Sequence, residues 1–222
     1  MTMDRGRVRE RSEMVNTQLR SRGIKNLDVL RAMSTIPRHM FAPKHLSDEA
    51  YADHPLPIGH DQTISQPYIV AQMTELLSPV KGDNILEIGT GSGYQAAIIS
   101  AIGARVISLE RLAVVADLAR ENLRNAGIET VTVHVSDGTL GWPDGAPYDG
   151  IIITAATPQI PVPLMSQMAV GGRLIAPVGP PQIQDLVRLT RTNDGYQEER
   201  FGSVRFVPLI GEYGWKDKSR TL

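Results

Sequence analysis

The chain has no cysteine. That excludes disulfides, thiolate nucleophiles and cysteine-based zinc or iron–sulfur sites, and it agrees with a cytoplasmic location, which is the expectation. Long apolar runs are also missing. Every hydrophobic stretch is interrupted by Gly, Pro or charge well short of the roughly 20 residues needed to span a bilayer, so no membrane partner is expected. The opening MTMDRGRVRERSEMV is basic but has no apolar core behind it, unlike a secretory leader. Net charge is nearly absent: 23 basic and 24 acidic residues leave −1. A duplex-binding surface usually rests on a basic excess, so no nucleic-acid partner is expected either. The local excess in residues 1–40, nine Lys or Arg against four Asp or Glu, reads as the solvated face of an amphipathic helix.

What is present fits one α/β domain of 222 residues with an ordinary 41% hydrophobic content. Residues 7–22 carry a loose helical stripe that stops at Gly23, and LDVLRAMSTI predicts a second helix ending at Pro37. The segment from Pro37 to Pro67, rich in Pro, His and turn formers, predicts an irregular region of functional size. Pro67 then opens a helix, PYIVAQMTELLS. From residue 83 short apolar strands alternate with helices: NILEIG, GYQAAIISAIG, ARVISLE, LAVVADLARENLRNAG, ETVTVHVSD, YDGIIITAA and PVPLMSQM. This alternation predicts a doubly wound, mostly parallel sheet with helices on both faces. GGRLIAPVG, DLVRLTR and SVRFVPLIG follow as strands without long helices between them, so an antiparallel pair is expected at one edge. The organisation expected is a single domain in three stretches. Residues 1–66 supply an N-terminal helical extension and an active-site segment, 67–179 the cofactor-binding core, and 180–222 the C-terminal strands.

The strongest local signal is ILEIGTGSGYQ, residues 85–95, where a buried strand runs into a glycine-rich turn that opens a helix. Gly89, Gly91 and Gly93, with Thr90 among them, remove side chains where backbone must turn tightly and approach a ligand. Glu110 ends the next strand, where an acidic side chain can accept hydrogen bonds from both ribose hydroxyls of an adenosine cofactor. A dinucleotide site asks for a third glycine at the sixth position; counted from Gly89 that position is Tyr94, and counted from Gly91 it is an alanine. The dinucleotide alternative is weakened, not removed. Glu87 on the first strand suits a cationic amino-acid cofactor better than a pyrophosphate. The five histidines, His39, His45, His54, His60 and His134, have no metal-ligand spacing, so no metal is expected.

The pattern of residues 85–93 resembles the first motif of class I S-adenosylmethionine-dependent methyltransferases, with their Rossmann-like fold. That resemblance implies an adenine contact for Asp137 and Gly138, although Asp-Gly is also an ordinary turn pair. It also places Thr154, at the fourth strand end, towards the transferring methyl. A closer resemblance lies in GHDQTISQPYIVAQMTELL (59–77), QMAVGGRLIAPVG (167–179) and VRFVPLIG (204–211). These are similar to the protein-L-isoaspartate O-methyltransferase family over about residues 9–215. The resemblance implies methyl transfer from S-adenosylmethionine, leaving S-adenosylhomocysteine, to the α-carboxyl of L-isoaspartyl residues in damaged proteins and peptides. Repair then follows through a succinimide. It marks Ser65 as the catalytic residue, with Gln62, Thr63 and Ile64 beside the cofactor. If the segment is extended, Thr63 and Ser65 share a face and Ile64 points away; a helix cap is the bland alternative for Ser65. His60, Thr63, Ser65, Val207 and Leu209 are the expected substrate contacts, the last two because an edge strand can pair with an extended peptide. A monomer is expected. The alternatives are methylation of RNA or a small molecule, and a non-catalytic nucleotide-binding protein.

Overall fold

Three punctuating residues set the N-terminal third. Gly23, at φ 94°, ends a helical run that starts as α1 (Val8–Met14) and continues through a π turn over Val15–Leu19. Asn26 caps α2 (Leu27–Thr35), its side chain accepting from the amides of Asp28 and Val29. Pro67 opens α3 (Pro67–Leu77), where its missing N–H leaves nothing unpaired. These elements belong to a computed structural model that describes residues 7–217. The first six residues of the basic N-terminal stretch and residues 218–222 of the C-terminal tail lie outside the described residues.

The segment between α2 and α3 is more ordered than the sequence predicts. It holds two 3-10 turns and a hairpin of β1 (Leu56–Gly59) antiparallel to β2 (Gln62–Ile64). Its turn is His60-Asp61, both at left-handed φ of 53° and 57°. Asn-Gly or Asp-Gly is the usual hairpin signal at such positions, which is why the turn is hidden in the sequence.

Beyond α3 the alternation runs as expected: β3 (Asn84–Ile88), α4 (Tyr94–Ala101), β4 (Arg105–Glu110), α5 (Ala113–Asn125), β5 (Val131–Val135), β6 (Tyr148–Ile153), the short α6 (Val162–Ser166) and β7 (Met168–Val178). Then β8 (Gln184–Thr192) and β9 (Gly195–Val204) complete a seven-stranded sheet of order β5-β4-β3-β6-β7-β8-β9. The first five of these strands are parallel and the β7-β8-β9 edge is antiparallel. The doubly wound, mostly parallel fold with an antiparallel edge and an N-terminal helical extension is therefore the fold observed. Strand order reverses between β3 and β6, and the crevice beyond the carboxyl ends at such a switch point is where α/β sheets bind ligands.

Alternation along β3 assigns the faces. Ile85 packs with Met73 and Leu77 of α3 and Ile99 of α4, while Leu86 and Ile88 pack with Leu164 and Met168 on the opposite side. The second face is covered thinly, by five-residue α6 and by Trp142 and Leu209.

One strand departs from expectation. Residues 203–211 read as a strand, but β9 ends at Val204 and is built mostly from GYQEERFG. Pro208 has no N–H for a ladder, and the chain leaves the sheet edge there, crossing to form a single parallel bridge with Ala156.

The N-terminal helices dock on the core through Tyr94. Its ring is 1% exposed and meets the edge of Phe41 at 5.5 Å and the Arg38 guanidinium at 5.0 Å, while its hydroxyl lies 3.8 Å from the Met33 sulfur. Tyr94→Ala should therefore cost about 3–5 kcal/mol of unfolding free energy, the range for a buried aromatic cut to alanine. Tyr94→Phe, which loses only the weak contact to sulfur, should cost less than about 1 kcal/mol. Urea unfolding of the two variants reads the difference.

Candidate active site

The glycine turn is held in place by neighbouring strand ends. Gly89, Gly91 and Gly93 all have positive φ, at 93°, 54° and 88°. A Cβ on Gly89 would stand 2.6 Å from the Thr154 hydroxyl. That hydroxyl, at the end of β6, donates to the Gly89 carbonyl at 2.5 Å and so ties the two sides of the switch point together. Gly93 serves packing instead: a Cβ there would meet Leu123 of α5 at 3.2 Å.

Two carboxylates stand at adjacent strand ends in opposite situations. Glu110 is nearly buried, at 7% exposure, and each oxygen accepts a backbone amide: Oε2 from Gly91 at 3.1 Å and Oε1 from Leu112 at 3.0 Å. A carboxylate has about four acceptor positions, so a lone pair on each oxygen stays open towards the cavity that Glu110 lines. Glu87 is fully buried beneath the turn. Its Oε2 accepts from Ser108 at 2.5 Å, Ser108 in turn lies 2.6 Å from the Thr90 hydroxyl, and Oε1 has no hydrogen-bond partner. Burial pushes the Glu87 carboxyl up to about 8, and the nearby Glu110 charge adds to the rise; the Ser108 hydroxyl and the Ala96 amide pull the other way. Glu87 does not line the cavities; it supports Thr90 from below through Ser108.

Three connected depressions run across the carboxyl ends of the strands. One, about 430 Å³, is walled by Ile88, Leu109, Leu112, Gly138 and Leu209, with Glu110 among its polar groups and His60, Asp61 and Gln62 at its rim. Apolar walls beside a carboxylate with two open acceptor sites fit the flat base and vicinal diol of a nucleoside. The second, narrower, joins Thr63, Ile64 and Ser65 to Gly89, Thr90, Gly91, Gln95 and Thr154. The third, about 600 Å³, has Thr63 and Ser65 on one side and Ile183, Ser203, Phe206 and Val207 on the other. Ser65 and Thr63 thus lie where the second and third meet, and Val207 touches all three.

The sequence-predicted residues are therefore brought together unevenly. Thr63 is exposed, Ile64 is 3% exposed and Ser65 is half-buried, the alternation of an extended segment. Ser65 is not the cap of α3: the capping position is Gln66, and no side chain bonds to the helix end. Asp137 lines a depression next to the nucleoside cavity, which shares Arg111, Leu112, Ile210 and Asp217 with it. Its Oδ1 takes the amide and hydroxyl of Thr139 at 2.9 and 2.7 Å, and its Oδ2 takes the amide of Glu212 at 2.8 Å, so its carboxylate fastens the C-terminal segment while Gly138 faces the cavity. His60 lies at the nucleoside end, away from the third depression. Leu209 is 6% exposed within the core, and its N–H donates to Ala156 at 2.7 Å. The edge-strand reading of Val207 and Leu209 is thus corrected: the strand ends at Val204, and both residues pair inside the fold with Ala156, whose N–H donates to the Val207 carbonyl at 2.7 Å. The sequence reading also passed over Phe206 and Gln66, which lie inside its quoted motifs, and Ile183, for which no signal was available.

The family model for protein-L-isoaspartate(D-aspartate) O-methyltransferase matches residues 9–214. A protein-L-isoaspartate O-methyltransferase of Methanospirillum hungatei JF-1 is 64% identical over 210 residues, covering 95% of this chain and 97% of its own. One from Methanoregula boonei is 56% identical, covering 98% and 100%. Among solved structures, a protein-L-isoaspartate O-methyltransferase superposes with a TM-score of 0.82 at 28% identity, covering 92% of this chain and 67% of that one. A Plasmodium falciparum structure described as the same enzyme, in complex with S-adenosyl-L-homocysteine, gives 0.79 at 25% identity, covering 90% and 98%. The chain belongs to the protein-L-isoaspartate(D-aspartate) O-methyltransferase family.

Proposed function

We propose that the three depressions are one active site, in which the nucleoside cavity and the glycine turn hold S-adenosylmethionine and the third depression receives an isoaspartyl segment. The enzyme methylates L-isoaspartyl residues of damaged proteins with S-adenosylmethionine as donor. The donor supplies an electrophilic methyl group on a positively charged sulfur. The observation that carries the assignment of the site is the position of Ser65, where the glycine-turn passage opens into the depression walled by Phe206 and Val207.

A reacting carboxylate is already anionic at neutral pH, so no general base is required. The chain's task is to hold one carboxylate oxygen in line and to exclude water from it. The Ser65 hydroxyl does so by donating to that carboxylate without adding charge. Thr63, on the same side, borders the substrate, and Ile64 packs beneath. Glu110 accepts the ribose hydroxyls with its remaining lone pairs, Gly138 lies against the base, and Thr90, Gly91 and Gln62 border the amino-acid portion. Glu87 stabilises the turn rather than touching the donor.

Substrate-bearing proteins are the partners. We assign the enzyme to the cytoplasm, acting as a monomer and without nucleic acid. The lack of cysteine fits a reducing compartment and the near-zero net charge fits the absence of a nucleic-acid partner; among the described residues no helix is long and apolar enough to cross a membrane.

Three outcomes test the site. Ser65→Ala should lower kcat about tenfold or more, the scale of a hydrogen bond to a charged group, with the dissociation constant for S-adenosylhomocysteine unchanged. Unaltered turnover of an isoaspartyl peptide would remove Ser65 from the chemistry. Glu110→Ala should weaken S-adenosylhomocysteine binding by about 1–3 kcal/mol in calorimetry. Glu87 carries a pH signature. Its folded pKa near 8 exceeds the ordinary 4.5, so its stabilising contribution is complete below about pH 4.5 and is lost as pH rises through 8. Glu87→Gln should remove that loss, leaving the variant more stable than the wild type at pH 9, relative to pH 5, by a few kcal/mol. Denaturant unfolding at the two pH values measures it.

A further inference from the structure

The third depression contains a polar group that no step above uses. Gln66 follows Ser65 directly and lines the same wall. Its Nε2 donates twice to Asp53, to the backbone oxygen at 3.0 Å and to Oδ1 at 2.8 Å. Both of those atoms only accept, so the amide nitrogen must face them and Oε1 is turned away. Asp53 is fixed from the other side by Arg22, whose Nη1 reaches both carboxylate oxygens at 3.1 and 2.9 Å. The Arg22 guanidinium lies 3.8 Å from the ring centre of Tyr68, two residues past Gln66. The four residues form a closed clasp across residues 65–68. It spans two separate stretches of the N-terminal extension and the start of α3.

As an ion pair the clasp contributes little to stability. Arg22 and Asp53 are 41% and 44% exposed, and exposed pairs typically contribute at most about 1 kcal/mol. Its definite consequence is orientational, since it sets the direction of one amide beside the residue that meets the reacting carboxylate. The remaining lining is mostly apolar or hydroxylic, with Arg205 its one charged side chain, so a carbonyl-type acceptor beside Ser65 is a distinctive feature of this wall. An isoaspartyl segment presents amide N–H groups on both sides of the reacting α-carboxyl, and in an extended peptide these need acceptors.

We infer that Gln66 is a substrate-recognition residue whose Oε1 accepts a backbone N–H adjoining the isoaspartyl residue, and that Asp53 is the positioning residue that orients it. The inference rests on the reading of the third depression as the substrate site. It concerns peptide binding alone, so it acts on KM more than on kcat.

The test uses the whole chain and an isoaspartyl peptide, with two further versions N-methylated at the amide on one or the other side of the isoaspartyl residue. Gln66→Ala should raise the peptide KM about three- to tenfold, the range for one neutral hydrogen bond, with a smaller change in kcat. Asp53→Ala should do the same with S-adenosylhomocysteine affinity unaltered, Asp53→Asn should recover most of the loss, and the Gln66→Ala/Asp53→Ala double variant should be no worse than Gln66→Ala alone. The wild type should discriminate against one of the N-methylated peptides, and Gln66→Ala should abolish that discrimination. Equal discrimination in wild type and variant, or additive effects of the two substitutions, would overturn the inference while leaving the methyltransferase reading intact. Failure of the wild type to methylate the unmodified peptide would overturn both.

Discussion

The buried ring of Tyr94 is the joint on which the site depends. It is the first residue after the glycine turn and the first of α4, so its backbone belongs to the cofactor half. Its side chain belongs to the other half, wedged against Phe41, Arg38 and Met33. The hairpin that carries Thr63 and Ser65 grows from that same N-terminal cluster, through Leu56 and Ile64. The distance between the glycine turn and Ser65 is thus set by packing around one aromatic ring. Close-packed interiors transmit displacement rather than absorb it, so packing alone can hold the two halves in register. Arg38 shows how tightly the joint is closed. It is fully buried with both terminal nitrogens unpaired, and burial lowers its pKa to about 10. The ring face of Tyr94 and the Ala50 carbonyl are what it has in exchange for water.

Much of this was legible in the sequence because local signals and global fold agree. The βαβ alternation, the glycine turn, Pro67 at a helix start and Gly23 at a helix end each follow from backbone sterics acting over a few residues. The parts that were not legible depend on tertiary placement. A turn of His60 and Asp61 in left-handed conformation carries no short-range signature, so the hairpin was hidden. Tyr94 could be read only as a residue that spoils a dinucleotide fingerprint; its role as a wedge requires knowing what lies above it. SVRFVPLIG has strand composition throughout, yet Pro208 and the bridge to Ala156 take half of it off the sheet edge. Asp137 spends its carboxylate on Thr139 and Glu212, and Leu209 meets the cavity with its side chain while its backbone pairs with Ala156.

The two acidic residues at adjacent strand ends show why residue type alone does not give a role. Glu110 ends its strand and Glu87 stands one residue before the end of the neighbouring parallel strand, beside the same turn. Glu110 meets two backbone amides, which satisfy a negative charge, and opens onto a cavity. Glu87 meets the Ser108 hydroxyl, the pull of the Ala96 amide and no solvent, and its neighbour's charge works against its own ionisation. Environment thus separates one carboxylate fit to hold a polar ligand from another that holds a turn, the same logic by which active sites assign distinct tasks to paired acids.

The chemistry also accounts for what the site leaves out. Methylation of a carboxylate needs a held nucleophile, not a deprotonated one, so a histidine or lysine base has no task here. Two histidines are engaged elsewhere, the His39 ring nitrogen 2.7 Å from the Tyr51 hydroxyl and His134 stacked on Trp142 at 4.2 Å, and His60 lines the nucleoside cavity but not the depressions that Ser65 lines. What a carboxylate nucleophile does require is a neutral donor whose direction is fixed before the substrate arrives. Ser65 sits between a β-strand that ends at Ile64 and a proline-opened helix, two elements that leave its backbone little freedom. A hydroxyl on a rigid segment meets that requirement at lower desolvation cost than a cation, which would draw charge away from the reacting oxygen as firmly as it bound it.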